Sequence, residues 1–79
     1  MITILYFAAV RDLAGTSEEK VATGAKTIAE LRVWLEKNRP VLAGRLSSVR
    51  FARNEQFASD AEPIADGDVT ALIPPVAGG

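Results

Sequence analysis

Neither cysteine nor histidine occurs anywhere in the 79 residues. Without cysteine there are no disulfides, and without either residue a zinc site lacks its usual ligands. The same absences exclude Ser-His and Cys-His nucleophile pairs, and any thiol that could carry a persulfide. The domain must be held by its core, and its side chains are poorly equipped for catalysis. An excess of either charge is also missing: nine basic against ten acidic residues give a net charge of -1. Nucleic acid and anionic membrane both demand a basic field, so neither is expected as a partner. The longest apolar run, Ile4 to Val10, falls far short of the ~20 residues that span a bilayer. The N-terminus carries no basic n-region and no small-residue cleavage site, so a soluble, cytoplasmic protein is expected. Repeats, linkers and low-complexity segments are absent too.

What is present is a hydrophobic fraction of 48%, enough for one compact domain. ITILYFA, residues 2–8, reads as a strand apolar on both faces, suited to the middle of a sheet. VRDLAG, residues 10–15, reads as one short helical turn closed by Gly15, with Leu13 turned inward. TSEEKVAT, residues 16–23, is the most polar strand and suits a sheet edge, where its charges discourage aggregation. The clearest helix runs from about Ile28 to Lys37. Thr27 is its N-cap and Glu30 completes a T-x-x-E capping box, while Ile28, Leu31, Trp34 and Leu35 share one stripe. Pro40 opens a second short helix, with Val41, Leu42 and Leu46 expected inward. SVRFARN and EQFAS then read as two short strands about a turn at Asn54-Glu55. A tight Asp66-Gly67-Asp68 turn leads into a last strand, Val69 to Ile73, ended by Pro74.

The two most apolar strands are the first and the last, so they should lie side by side and parallel at the centre of a mixed sheet. The main helix should cover one face. This is an α+β architecture, the β-grasp roll. The folded domain is expected over residues 1–73, with an extended tail over residues 74–79.

Few positions offer chemistry. GAKT, residues 24–27, resembles the end of a phosphate-binding loop, but Ala25 interrupts the required order and residue 19 is Glu rather than Gly. Loop plus helix cap explains it. Asp60, Glu62, Asp66 and Asp68 do not have the spacing of a Ca²⁺ loop, so no metal site is expected. Arg45, Arg50 and Arg53 form either a solvated face or a docking surface for an acidic partner.

The tail is different. Pro74 and Pro75 fix two backbone angles, so the chain should leave the last strand stiffly. Val76 and Ala77 carry no charge, and Gly78 and Gly79, lacking Cβ, can pass a channel too narrow for other residues. The tip is one unhindered carboxylate. With a pKa of ~3.5 it is ionised and a poor electrophile until another protein activates it, for instance as an acyl-adenylate. Attack by sulfur would then give a terminal thiocarboxylate, nucleophilic in the way a thiolate is. A chain without cysteine cannot attack its own activated end, and a tip already at the terminus requires no processing protease. The alternative is a frayed end without function.

Three blocks of sequence, ITILYFAAVRDLAGT, TIAELRVWL and DGDVTALIPPVAGG, resemble the opening strand and V-R-[ED]-L-x-G turn, the capped helix, and the closing turn, strand and P-P-V-x-G-G terminus of one family. That family is the small subunits of molybdopterin synthase, ubiquitin-like β-grasp sulfur carriers, and the likeness spans almost the whole chain. The resemblance implies that an E1-like, ATP-dependent enzyme adenylates Gly79 and that a sulfur donor system converts it to a thiocarboxylate. It implies a heterotetramer with a large synthase subunit, into whose active site the tail, Pro74 to Gly78, is threaded. There sulfur passes to cyclic pyranopterin monophosphate during molybdenum cofactor biosynthesis. No bound cofactor is implied; acyl-adenylate and thiocarboxylate are covalent states of Gly79, and catalytic side chains belong to the partner.

The family's apolar docking surface maps onto Phe7, Phe57 and Ile73. Core packing is the competing reading for all three, more so for Phe7 and Ile73 than for Phe57. Where the family often has a second aromatic beside Ile73, this chain has Leu72-Ile73. Arg11 matches the family's arginine in the first turn, and a carboxylate or the partner is its expected contact. A related carrier for thiamine synthesis or tRNA thiolation remains open, as does an inert β-grasp module. Ubiquitin-like conjugation is disfavoured by a VAGG stem without basic residues.

Overall fold

The computed structural model describes residues 1–75. Five strands and two helices follow in the order β1 (Ile2–Tyr6), α1 (Ala8–Ala14), β2 (Glu18–Val21), α2 (Ile28–Asn38), β3 (Arg50–Arg53), β4 (Gln56–Ala58) and β5 (Val69–Ile73). A 3₁₀ turn at Pro40–Leu42 lies between α2 and β3. The strands form a single sheet in the order β2-β1-β5-β3-β4. As expected, β1 and β5 are parallel neighbours at its centre, with Tyr6 opposite Leu72, and the polar β2 is an edge.

Alternation along the strands divides the sheet into two unlike faces. Ile2, Ile4 and Tyr6 of β1 point the same way as Phe51 and Leu72, and all five are buried. Against them lie Ile28, Leu31 and Leu35 of α2, with Leu42, Leu46 and Val49 from the connection that follows. Burying side chains of this size contributes roughly 1.5–3 kcal/mol each, and here that cluster takes the place of disulfides. Trp34 packs on its margin, half-buried, beneath the Arg39 guanidinium.

Local chemistry sets the element ends. Thr27 Oγ1 accepts a hydrogen bond from the Glu30 amide at 3.2 Å, which caps α2. The returning Glu30 carboxylate accepts from the Lys26 amide, one residue before the N-cap. The expected box therefore closes one residue early, and a crossing segment takes the helix's first amides: Ile28 and Ala29 donate to the carbonyls of Glu62 and Asp60. Gly15, at φ 75°, ends α1 as expected, since a left-handed C-cap strains any residue with a Cβ.

Three expectations are corrected. β1 ends at Tyr6 rather than at residue 8, because Ala8 takes a φ of 50° and turns the chain into α1. Leu13 does not face inward; Val10 is the buried residue of α1 and Leu13 is exposed. Val41 is exposed as well, since only Leu42 of the 3₁₀ turn reaches the core. In both places several neighbouring aliphatics compete for one inward position, and a helix of one or two turns has room for one.

Candidate functional site

The face of the sheet opposite α2 is open. Its side chains are Thr3 and Leu5 of β1, Val69, Ala71 and Ile73 of β5, and Ala52 of β3, followed by Phe57 of β4. Among the described residues no helix packs on this face, although Ala52 is buried between its neighbours. All but Thr3 of these side chains line a shallow groove of about 580 Å³ whose floor is Leu5, Ala52 and Ala71 and whose walls include Phe7, Phe57 and Ile73. Small alanines at the centre make the depression, and large side chains at the margins raise its rim. Phe7 and Phe57 are 45% and 57% exposed, so neither belongs to the core. Two exposed Phe rings on one groove mark a surface that buries itself against something else.

Each rim residue is held by chemistry behind it. Phe7 follows Tyr6, whose hydroxyl donates to Glu19 Oε2 at 2.6 Å. Glu19 also receives Arg39 Nη2 at 2.5 Å, so β1, edge strand β2 and the residue after α2 meet at one carboxylate. Burial pushes the Tyr6 phenol well above its ordinary range, and the bond to Glu19 adds to this. The Arg39 guanidinium holds the Glu19 carboxyl below its usual value despite partial burial. Phe57 sits opposite Ala52 in the β3–β4 hairpin, and the Arg50 guanidinium stacks over its ring at 3.9 Å. That distance is well inside cation–π range.

The hairpin turn is tied to the start of β5. Asn54 Oδ1 accepts from the Val69 amide at 2.9 Å, and Asn54 Nδ2 donates to Asp68 at 3.1 Å. Asp68 is the buried acid at this end. It also accepts from Arg53 Nε at 2.6 Å and from the Ala65 amide at 2.7 Å. The Arg53 bond, ahead of the amide and Asn54, draws its carboxyl down to about 2. The other acids of that stretch also have partners, Asp60 with Arg32 and Glu62 with Arg53. Among the described residues no three His, Cys, Asp or Glu side chains converge as a metal site.

The structure thus brings Phe7, Phe57 and Ile73 together on one groove. Arg11 does not line it; it is exposed on α1 and takes part in no ion pair among the described residues. Leu5, Ala52, Val69 and Ala71 also line the groove, together with Asn54 and Glu55 of the hairpin turn, and were not singled out as site residues from sequence. The signal that could have found the strand residues is alternation along the strands, once one face of β1 is known to meet the helix. β5 ends at Ile73, on the groove rim, followed by half-buried Pro74 and exposed Pro75. The expected threading residues Val76, Ala77 and Gly78, and the expected reactive Gly79, lie outside the described residues.

A β-grasp sheet with one helix-covered face, and with an open apolar face beside the end of its last strand, defines a ubiquitin-like protein. The ThiS family model matches residues 4–79. The molybdopterin synthase sulfur carrier subunit of Escherichia coli (strain K12) is 38% identical over 81 residues, covering 100% of both chains. The crystal structure of SAMP1 from Haloferax volcanii superposes with a TM-score of 0.84 at 28% identity, covering 99% of this chain and 98% of that one. A chain in the complex of subunits 1 and 2 of molybdopterin-converting factor from Helicobacter pylori 26695 gives a TM-score of 0.71 at 26% identity, covering 99% and 97%. The chain belongs to the ThiS family, among the molybdopterin synthase sulfur carrier subunits. No helix among the described residues is long and apolar enough to cross a membrane.

Proposed function

We propose that this chain carries sulfur as a thiocarboxylate on Gly79 and delivers it within molybdopterin synthase. An E1-like enzyme transfers AMP from ATP to the Gly79 carboxylate, releasing pyrophosphate. A sulfur donor then displaces AMP and leaves sulfur on the terminal carbonyl carbon. In the large subunit that sulfur forms a carbon–sulfur bond with cyclic pyranopterin monophosphate in place of a carbon–oxygen bond, whose oxygen leaves, and water cleaves the acyl–sulfur bond to restore the carboxylate. The catalytic side chains are the large subunit's. This chain supplies the acyl end, the stiff stem Pro74-Pro75, the uncharged Val76-Ala77 and the narrow Gly78. Phe7, Phe57 and Ile73 dock it, and Arg11 pairs with an acidic group of the partner.

The observation that carries this reading is the continuity of groove and tail: the strand that forms the groove's floor and rim runs directly into the Pro-Pro stem. A partner seated on the groove therefore receives the tail at a fixed place. The Helicobacter pylori relative is a complex of subunits 1 and 2 of the converting factor, which supports a large-subunit partner. Intact mass tests the carrier step. Incubation with an activating enzyme, ATP and a sulfur source should raise the mass by ~16 Da, one oxygen replaced by sulfur. An unchanged mass would overturn every carrier reading, including the alternatives in thiamine synthesis and tRNA thiolation.

A further inference from the structure

The groove carries opposite charges at its two ends. At the tail end, Arg50 stands opposite Ile73 in the β3–β5 ladder and stacks on Phe57. At the other end, Glu55 of the hairpin turn lines the groove. Both side chains are exposed, and among the described residues neither takes part in an ion pair. β3 carries the chain about 10 Å from Arg50 to Arg53, three residues at ~3.3 Å each, and Glu55 lies in the turn beyond it. Ala52 and its cross-strand partner Phe57 lie between Arg50 and Glu55.

The geometry points to a second copy of this chain as an occupant of the groove, packed face to face with its strands antiparallel. A two-fold axis running across the strands near Ala52 and Phe57 reverses the strand direction and keeps the position across the sheet. It places Arg50 of each copy against Glu55 of the other, twice over, and sets the two Phe57 rings against each other. The contact is isologous, so it closes at two copies and cannot grow into a fibre. Sheets stacked this way sit ~10 Å apart, a distance that rim aromatics fill. The other two-fold arrangement, with strands parallel, brings Arg50 against Arg50 and Glu55 against Glu55 and is repelled. For the Arg50 and Glu55 pair, only the antiparallel orientation is attractive.

The conformation at Glu55 points the same way. Asn54 and Glu55 both have positive φ, 49° and 73°. A two-residue hairpin turn of this kind favours glycine second, and a glutamate there is strained. The turn holds a charge where the backbone alone would favour none.

The face is small. Four strands at ~4.8 Å by about 17 Å of strand give roughly 330 Å² per copy, less than half of a standard stable interface. The pair should be weak and reversible, forming in the concentration range ~10 μM to 1 mM. It does not depend on the sulfur-carrier reading. Where that reading holds, self-pairing and the synthase partner compete for the same face.

Sedimentation velocity on the purified full chain, from 10 μM to 1 mM and at low and high salt, tests the proposal. A concentration-dependent dimer that weakens with salt is expected. Arg50→Glu and Glu55→Lys should each raise the dimer dissociation constant about tenfold, since each reverses two contacts per dimer. The double variant should restore it to within a few-fold, a recovery that general damage cannot give. Melting temperatures check that the variants fold, and concentration-dependent amide shifts of the unaltered chain should map to the groove. A chain that stays monomeric to 1 mM overturns the proposal, even if it binds a partner subunit. So do single variants without effect, a double variant without recovery, or shifts on the α2 side.

Discussion

Arg53 Nε lies 2.6 Å from Asp68 Oδ2, joining β3 to the residue just before β5. The same carboxylate accepts from the Ala65 amide, so one buried acid holds the turn, the hairpin and the central strand together. Its folded-state pKa of about 2 lies below the ordinary 3.8. The resulting stabilisation, on the order of 2 kcal/mol, is complete above pH ~4 and is lost as pH falls toward about 2. Thermal melts at decreasing pH should show that loss. Asp68→Asn, which cannot accept from Arg53 as a charge, should flatten the dependence and lower stability at neutral pH by a similar amount.

Phe57→Ala should behave differently in two assays. The ring is more than half exposed, so the melting temperature should change little, within about 1 kcal/mol of stability. Docking to a molybdopterin-synthase large subunit should weaken by roughly 30-fold, the loss of one aromatic anchor worth ~2 kcal/mol. Calorimetric titration checks the binding and a thermal melt checks the fold.

Replacing Gly78 with Trp, or deleting Gly79, should abolish sulfur delivery in a reconstituted synthase assay. Circular dichroism and melting temperature should remain those of the unaltered chain, because β5 ends five residues before position 78. Activity surviving Gly78→Trp would refute threading through a narrow channel.

Leu31→Ala removes a side chain of zero exposure at the centre of the α2 stripe. Such a deletion costs about 2–5 kcal/mol. In a domain whose total stability is ~5–15 kcal/mol, urea denaturation should show a midpoint lowered by at least about one-seventh.

Glu55→Gly should have the opposite sign. Glycine suits the φ of 73°, so the hairpin should gain roughly 0.5–1 kcal/mol, read as a higher melting temperature.

Much of this was legible in the sequence because it rests on local chemistry. Thr27 and Glu30 mark the start of α2, Gly15 ends α1, and Pro74 stops β5. The apolar first and last strands predict their central pairing, since only a strand covered by neighbours on both sides tolerates such composition. The groove was less legible. Phe7 is readable as core or surface until β1 is known to present Tyr6 to the helix, which sends its neighbour the other way. Ala52 and Ala71 matter for being small, and nothing local marks a small residue as the floor of a groove. Arg50's place beside Ile73 depends on the β3–β5 register, a contact between residues 23 positions apart.

The central position of β5 has a mechanical consequence. It is hydrogen-bonded to β1 on one side and β3 on the other, and the chain beyond Pro75 continues from its end. A pull on that chain along the strand loads both ladders in shear, so their bonds must fail together rather than peel one at a time. Drawing the tail out of a tight channel can then drag the whole domain with it instead of unravelling the last strand.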